Sequence, residues 1–383
     1  MAENHNSLES FADAKRVVVK IGSSLFVDND TGKLDTAWLE GLAADVAALQ
    51  QAGKEIVIVS SGAVALGRRE LGMDVQKARL EDNQAAAAAG QILLAHAYKE
   101  LLGQHDIKVA QVLLTLDDSE SRRRYLNAVR TLTTLIRARV IPVINENDTV
   151  ATAELRYGDN DRLAGRVAQM VSADCLVILS DVDGLFDADP QLNPDAEHIP
   201  VVETIDERLF ELAGGPGSRH GSGGMRTKLQ AARIAVAAGC RMVITNGHVD
   251  RPISALRSGA RATWFISTAS PQTARKQWIA GSLRPSGRIA VDAGAAKALA
   301  EGRSLLPAGV TAVEGEFEKG DSVRVVDAGG EEIARGLVSY SKSEAAAIAG
   351  KRSEQISGIL GYRGRNEIIH RDDLVLNLSE SGS

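Results

Sequence analysis

The segment Gly221–Lys228 places three glycines and a terminal lysine directly before an alanine-rich amphipathic run. Because glycine has no side chain, backbone N–H groups in such a loop can approach an anion closely. A helix that starts behind the loop adds free N–H groups of its own. The motif is not a Walker A loop, which needs a hydroxyl residue after the lysine, since Thr227 precedes Lys228 and Leu229 follows it. The segment predicts a phosphate site of another type, with a flexible loop and a solvated lysine as the alternative.

Lys20 lies near the carboxyl end of an apolar run, Val17–Ile21, that leads into a turn of small residues. A short apolar run of this kind is typical of a strand in a parallel sheet. Burial of a lysine is unfavourable unless an anion is paired with it. Ligands of open α/β sheets bind beyond the carboxyl ends of the strands. Lys20 is therefore a second candidate for contact with an anion, and an outward-facing lysine on an edge strand is the alternative.

Polar residues follow two further apolar runs. Asn145-Glu-Asn-Asp148 follows the strand candidate Ile141–Ile144, and Ser60-Ser-Gly-Ala63 follows another strand candidate. Carboxylate and amide groups can recognise the ammonium and the carboxylate of an amino acid. The same oxygen ligands suit magnesium, and a solvated loop is the third interpretation. The serine segment precedes a predicted helix and is either a further anion-binding turn or an ordinary tight turn.

Two aspartates flank Asn160 at the start of another predicted helix. An acid at a helix N-terminus is often a cap, and we assign Asp159 to that role. Asn160 and Asp161 have a different use if Lys20 and Lys228 converge, because a carboxylate between two ammonium groups offsets their repulsion.

The apolar run Cys175–Ser180 leads into an acidic glycine turn, Asp181–Gly184. Main-chain groups of this turn and the side chain of Asp181 can hold the ribose or the base of a nucleotide. A capped turn without a ligand is the alternative.

None of the seven histidines lies inside these segments, although His220 adjoins one of them. A nucleophile that is already ionised needs no histidine base. A carboxylate that attacks a phosphoryl group requires positioning and charge neutralisation, which lysines, backbone N–H groups and magnesium supply.

Strands and helices alternate from Lys15 to about Ser267, which predicts a mainly parallel sheet with helices on both faces. The predicted strands are Val17–Ile21, Glu55–Ser60, Val109–Thr115, Val140–Asn145, Cys175–Ser180, Met242–Thr245 and Ala262–Ile266. The predicted helices are Thr36–Gln51, Glu81–Leu102, Ser119–Ala138, Arg162–Ser172, Gly224–Ala238 and Ile253–Ser258. Additional short strands are expected in 152–158 and 199–204.

The segment 268–285 interrupts this alternation with prolines, a glycine and charged residues, as expected of a linker. Short strands and glycine turns follow, including a hairpin turn at Asp327–Gly330. We therefore predict a mobile tail (1–14), a catalytic α/β domain (15–267), a linker (268–285) and a small mainly-β domain (286–383). The strands predicted in the last domain are Ile289–Val291, Val310–Glu316, Ser322–Val326, Glu332–Tyr340 and Leu374–Leu378.

The composition is that of an ordinary soluble globular protein, with 44% hydrophobic and 25% charged residues among 383. The formal net charge of −6 implies no general attraction to nucleic acid or to an anionic membrane. Cys175 and Cys240 lie in apolar runs and are expected to be buried thiols of a reducing compartment. The sequence contains no signal peptide and no membrane-spanning run, so a cytoplasmic location is expected.

Five of these segments together resemble the amino-acid kinase family. They are Val17–Ser23, Val59–Ala63, Pro142–Asp148, Gly158–Asp161 and Gly221–Lys228. The resemblance covers nearly the whole chain from Lys15, and its C-terminal part is similar to a PUA domain, a module otherwise typical of RNA-modifying enzymes. Ser222 stands where the family commonly has threonine, which keeps a hydroxyl group. The Asn-Glu-Asn-Asp and Gly-Asp-Asn-Asp segments narrow the resemblance to members that act on L-glutamate.

The resemblance implies that ATP and L-glutamate give ADP and L-glutamyl 5-phosphate with Mg2+, the first step of proline biosynthesis. It implies that Lys20 and Lys228 flank the transferring phosphoryl group and that Asp161 holds both lysines. The glutamate-binding residues would be Ser61, Asn145, Asp148 and Asn160. The ATP-binding residues would be Lys20, Ser180, Asp181, Ser222, Gly223, Gly224, Met225, Arg226, Thr227 and Lys228. No protein ligand of magnesium is assigned.

The resemblance also implies a homo-oligomer, often inhibited by proline, with a product that a reductase consumes. One alternative keeps the kinase fold and changes the acceptor to N-acetylglutamate, aspartate, a nucleoside monophosphate or carbamate. Another is an RNA-binding protein that acts through the PUA-like domain. Residues 286–383 carry 12 basic and 15 acidic side chains, a charge of −3, and few aromatic residues, which argues against RNA.

Overall fold

The computed structural model describes residues 11–28, 31–73, 79–151, 160–190, 192–213, 224–274, 276 and 285–376. The chain divides into two compact units, Met1–Pro271 and Gln272–Ser383. The strands of the first unit are β1 (Arg16–Ile21), β2 (Glu55–Val59), β3 (Val109–Leu114), β4 (Ile141–Glu146), β5 (Cys175–Ser180), β6 (Leu185–Phe186), β7 (His198–Ile199), β8 (Val201–Val202), β9 (Arg241–Asn246) and β10 (Ala262–Phe265). Its helices are α1 (Thr36–Gln51), α2 (Ala63–Glu70), α3 (Leu80–Gly103), α4 (Leu116–Glu120), α5 (Arg122–Arg137), α6 (Asn160–Val171), α7 (Glu207–Leu212), α8 (Met225–Ala237) and α9 (Pro252–Arg257).

Eight strands form one sheet in the order β3-β4-β2-β1-β5-β9-β10-β8. The five neighbouring pairs from β3 to β9 are parallel, β10 is antiparallel to β9, and β8 pairs with β10 in parallel. Alternate residues of β1 contribute to two different cores, with Val17 and Val19 in one and Val18 in the other. Helices α1 and α3 cover the first face, and α5, α6 and α8 cover the second. The predicted mainly parallel sheet between helices is therefore confirmed.

The structure differs from the predicted elements in several places. The helix expected over Ser119–Ala138 is two helices, because Ser121 is extended and Thr115 forms a capping box with Asp118 at the start of α4. Helix α7, which Asp206 caps, was not predicted. The strand expected in 199–204 is β8, paired with β10. The strand expected in 152–158 lies outside the described residues.

The mobile tail was predicted to extend to residue 14, but residues 11–14 belong to the folded first unit. Phe11 and Ala14 are buried, and the Phe11 ring lies 6.4 Å from the Trp264 ring. The ammonium of Lys54 donates to the carbonyl oxygens of Ala12 and Ala14 at 2.5 and 2.6 Å. Residues 11–14 are therefore anchored in the first unit by an aromatic contact and by a lysine that binds their main chain.

Helices α2 and α3 pack closely at two glycines. A Cβ atom on Gly67 would lie 1.6 Å from the carbonyl oxygen of Ala86, and one on Gly90 would lie 1.8 Å from that of Ala63. Both obstacles are backbone atoms of the facing helix, so they cannot turn aside as a side chain would. The absence of these two side chains lets α3 approach the turn between β2 and α2.

We expect Gly90→Ala to lower the free energy of unfolding by about 3 kcal/mol, the upper end of typical overpacking effects, because only a backbone shift can relieve the clash. Gly103→Ala is the matched control on the same helix, since its Cβ would meet nothing within 4 Å. That change should be neutral or stabilise by up to about 1 kcal/mol. Urea unfolding of both variants measures the difference, and equal stability of the two would contradict the packing described here.

The strands of the second unit within the described residues are β11 (Gly287–Val291), β12 (Val310–Gly315), β13 (Ser322–Val326), β14 (Glu332–Leu337) and β15 (Leu374–Leu376), and α10 (Ala293–Ala300), α11 (Lys342–Ile348) and α12 (Ile356–Leu360) are helices that accompany them. The strands form a separate sheet in the order β12-β11-β13-β14-β15 around their own core. The predicted hairpin turn joins β13 and β14, with Gly330 at φ +84°. The three short helices were not predicted.

Within the ranges given above, no helix is both long enough and apolar enough to cross a membrane. Cys175 and Cys240 are buried free thiols, as expected from the apolar runs around them.

Candidate active site

Three charged side chains from three distant segments meet at the carboxyl edge of the large sheet. The Nζ atom of Lys20, on β1, lies 2.6 Å from Oδ1 of Asp161, and the Nζ atom of Lys228, on α8, lies 3.2 Å from Oδ2 of the same carboxylate. All three residues are buried, and Asp161 is fully so. One carboxylate thus holds two ammonium groups close together.

Close helix packing brings Asp161 to the two lysines. Helices α6 and α8 touch at Gly165, where a Cβ atom would lie 2.9 Å from the carbonyl oxygen of Ala231. Asp161 precedes Gly165 by one helical turn, and Thr227 precedes Ala231 by one turn. The first turns of both helices therefore face each other, and the Thr227 hydroxyl donates to Oδ2 of Asp161 at 3.2 Å.

The electrostatic balance keeps Asp161 ionised. Burial alone would raise the pKa of this carboxyl, but the ammonium groups of Lys20 and Lys228 outweigh burial and hold the pKa below its usual range. A carboxyl whose pKa is lower in the folded state contributes stability above its unfolded pKa of about 4 and loses that contribution as the pH falls further. At neutral pH the charge of Asp161 therefore remains available to both lysines.

The glycine segment is described from Gly224 onward, and Ser222 and Gly223 lie outside the described residues. Gly224 is the N-cap of α8, and Met225 begins the helix in a half-buried position. Arg226 is exposed, and its guanidinium lies 5.9 Å from the ring centroid of Phe210. The N-terminus of α8 thus lies beside Lys228, and a helix N-terminus is a favourable place for an anion.

A second cluster, of neutral polar side chains, adjoins the charged one. The side-chain amide nitrogen of Asn160 donates to the Ser61 hydroxyl at 3.0 Å and to Oδ1 of Asn145 at 2.8 Å. It also donates to the Ser60 carbonyl oxygen. Because Asn160 immediately precedes Asp161, these contacts fix the start of α6 in both clusters. Three predicted glutamate-binding residues, Ser61, Asn145 and Asn160, are therefore in direct contact.

Asp148 lies in the turn that follows β4, three residues beyond Asn145, and is half-buried. The turn leaves this residue partly open to solvent.

Ser180 and Asp181 lie where β5 ends, beside β1 in the sheet. Ser180 is buried, and its hydroxyl donates to Oδ1 of the exposed Asp181 at 2.8 Å. The adjoining turn at Gly184 has a φ of +151° and packs against His198, where a Cβ atom would lie 2.6 Å from Nε2. The predicted nucleotide-binding turn is thus at the same sheet edge as Lys20, and a glycine is required in it.

Helix α3 supplies polar residues to this edge that were not predicted from the sequence. Gln91 is buried, and its Oε1 accepts from the Asn145 amide nitrogen at 2.8 Å. The Tyr98 hydroxyl lies 2.9 Å from the Ser60 hydroxyl, and burial raises the pKa of Tyr98. The available signal was a glutamine on the apolar face of α3, in register with Leu94 and Tyr98.

In the part of the chain that the structure describes, no three His, Cys, Asp or Glu side chains form a group that could hold a metal ion. Asp161, the most buried carboxylate of the site, is already bound to two lysines. Mg2+ usually keeps several waters and is shared with substrate phosphates. These residues therefore fit a magnesium ion that arrives with a nucleotide better than an ion held by protein ligands alone.

The residues that form the two clusters lie within a match to a known protein family. The family model described as the amino acid kinase family matches residues 15–246, a range that contains both clusters. The chain belongs to the amino acid kinase family. A PUA domain matches residues 287–360, within the second unit.

Two relatives in this family are similar over nearly their whole length. The glutamate 5-kinase of Paramagnetospirillum magneticum is 60% identical over 369 residues, which cover 96% of this chain and 100% of that protein. The glutamate 5-kinase of Brucella ovis is 55% identical over 96% of this chain and 97% of that protein. Among solved structures, the carbamate kinase of Giardia lamblia bound to AMP-PNP is 17% identical, with a TM-score of 0.48 over 67% of this chain and 99% of that chain.

Proposed function

We propose that this amino acid kinase is a glutamate 5-kinase, which transfers the γ-phosphoryl group of ATP to the side-chain carboxylate of L-glutamate. The observation that carries the proposal is the pair of buried lysines, Lys20 and Lys228, held on Asp161 beside a cluster of neutral amides. The charged part suits a phosphoryl group in transfer, and the amide part suits an amino acid. The glutamate 5-kinases that are 55–60% identical support the choice of substrate.

In the reaction, an oxygen of the side-chain carboxylate attacks the γ-phosphorus, and the bond from that phosphorus to the bridging oxygen breaks. The electron pair leaves with ADP, and no proton has to be removed from the nucleophile. Negative charge spreads over the phosphoryl oxygens, and fixed cations stabilise that charge without reorganising. Lys20 and Lys228 supply these cations, and Asp161 acts as the positioning residue that keeps them apart and aligned.

The remaining proposed contacts divide between the two substrates. Ser61, Asn145, Asp148 and Asn160 bind glutamate, with Asp148 facing its ammonium group. The ATP phosphates lie at the segment from Ser222 to Lys228 and at Lys20, and the nucleoside end lies near Ser180 and Asp181. A magnesium ion that arrives with ATP would neutralise part of the phosphate charge.

We also propose the pathway, the location, the assembly and the inhibitor of this enzyme. The reaction is the first step of proline biosynthesis in the cytoplasm, performed by a homo-oligomer that proline can inhibit, and a reductase consumes the product. The relatives do not favour N-acetylglutamate or aspartate as the acceptor, nor RNA binding as the main function.

Glutamate-dependent formation of ADP, with the acyl phosphate trapped by hydroxylamine as a hydroxamate, tests the proposed function. Both signals should require ATP, L-glutamate and Mg2+. Formation of ADP without hydroxamate, or equal activity with N-acetylglutamate or aspartate, would contradict it.

We expect a chain that ends at Pro271 to fold and to keep measurable kinase activity. All the proposed site residues precede this position, and the first unit contains the complete eight-stranded sheet. The PUA unit would then serve regulation or assembly. Circular dichroism measures whether the truncated chain folds, and the hydroxamate assay measures its activity. A folded truncation without activity at any glutamate concentration would show that the kinase activity requires the PUA unit.

A further inference from the structure

Gln91 presents an unused hydrogen-bond donor next to the proposed glutamate site. The residue is 8% exposed, and its Oε1 accepts from the amide nitrogen of Asn145. Within the described residues, its Nε2 atom has no hydrogen-bond partner, although it is buried. An amide nitrogen carries two N–H donors, and leaving them unpaired in a buried position is unfavourable.

The surrounding hydrogen bonds determine which way this amide faces. The backbone N–H of Glu146 can only donate, and it donates to Oδ1 of Asn145 at 2.9 Å. The nitrogen of Asn145 must therefore face Gln91, and Gln91 must turn its oxygen toward Asn145. The Nε2 atom of Gln91 is consequently a pure donor that takes no part in these hydrogen bonds.

The order of the cluster indicates which end of the substrate would meet Gln91. Asp161 holds the two lysines at the phosphoryl end, and Asn160 is its immediate neighbour in the sequence. Asn160 contacts Asn145, and Asn145 contacts Gln91, each at 2.8 Å. Counted along these contacts from the lysines, Gln91 comes last, which is the position expected for a group that meets the end of the substrate that does not react.

We propose that Nε2 of Gln91 donates a hydrogen bond to the α-carboxylate of L-glutamate and thereby selects substrates with an anion at that position. This inference rests on the proposed function and assigns one residue to substrate recognition. The close packing at Gly67 and Gly90 brings the backbone of α3 to the edge of the site, and Gln91 lies on α3 next to Gly90.

Gln91→Glu is the most direct test, because the new side chain keeps an oxygen for Asn145 and replaces the donor by an acidic oxygen. We expect the KM for glutamate to rise at least about tenfold, since a charge-assisted hydrogen bond is lost and like charges oppose each other. The KM for ATP and the melting temperature should stay near the wild-type values. Gln104→Glu is the matched control, as it adds the same charge at the exposed end of the same helix.

Substrate specificity provides a second measurement that a merely structural role would not change. The α-amide of glutamate keeps the reacting side-chain carboxylate and replaces the α-carboxylate by a neutral group with donors. Gln91→Glu should therefore lower the preference for glutamate over its α-amide, measured as the ratio of the two kcat/KM values. We expect this ratio to fall by about tenfold or more, because the loss affects only the anionic substrate.

The outcomes separate this inference from the proposed function. If the wild type forms no acyl phosphate from glutamate, the proposed function fails. If the wild type is active and Gln91→Glu leaves both the glutamate KM and the specificity ratio unchanged, only the role of Gln91 fails. Should Gln91→Glu not fold, Gln91→Met removes the donors without adding charge, and an unchanged glutamate KM in that variant overturns the inference equally.

Discussion

Lys20→Ala and Lys228→Ala should each lower kcat by about 10²–10³, the usual effect of removing one group that stabilises transition-state charge. Both ammonium groups are fixed on Asp161 before any substrate binds, so neither has to be reorganised during the reaction. The loss should appear mainly in kcat, because charge on the phosphoryl oxygens is most dispersed in the transition state. The KM for glutamate should change much less.

Lys99→Ala is the control for these variants, since Lys99 is exposed on α3. Arg226→Ala should lower kcat less than Lys20→Ala or Lys228→Ala does, but more than the Lys99→Ala control, because the Arg226 side chain already packs against Phe210. Steady-state kinetics together with circular dichroism separate loss of chemistry from loss of folding. Near-normal turnover in a folded Lys20→Ala or Lys228→Ala variant would remove that lysine from the proposed mechanism.

Asp148→Asn should raise the KM for glutamate by about two decades, which corresponds to about 3 kcal/mol of lost pairing with the substrate ammonium. This is the lower end of the range for a buried ion pair, because the half-buried carboxylate of Asp148 keeps some solvent contact. Binding of ATP should be nearly unchanged. For the same reason N-acetylglutamate, in which a bulkier neutral amide replaces the ammonium group, should be a poor substrate.

Saturation curves for glutamate and N-acetylglutamate, with an ATP isotherm, measure these effects. Asp106→Asn is a suitable control because Asp106 is exposed, and its φ of +60° is tolerated by asparagine. A silent Asp148→Asn variant, or phosphorylation of N-acetylglutamate as fast as glutamate, would show that both the role of Asp148 and the choice of substrate are wrong.

The sheet and the charged part of the site could be predicted because their signals are local. Val17–Ile21 is a continuous apolar run, so Lys20 within it required an anionic partner, and the structure supplies Asp161. The position of Gln91 was not predictable in this way. It depends on the crossing of α2 and α3 at Gly67 and Gly90, and close approach of two backbones leaves no periodic pattern in either helix.

The short elements were missed for a related reason. Helices α7, α10, α11 and α12 have between five and eight residues, which is too short for a helical period to be distinguished from an irregular segment. The tail was predicted too long because a single aromatic residue, Phe11, carries the anchoring contact. One side chain in a polar stretch produces no periodic pattern, although its burial anchors the segment to the first unit.

The central place of β1 has a consequence for how the protein is made. β1 leaves the ribosome before the other described strands, yet it lies between β2 and β5, and β5 ends 159 residues after β1, at Ser180 against Ile21. At a synthesis rate of about 5–20 residues per second, one edge of this apolar strand waits roughly 8–30 seconds for its partner. The nascent chain must therefore protect the strand that carries Lys20 for longer than most small domains take to fold.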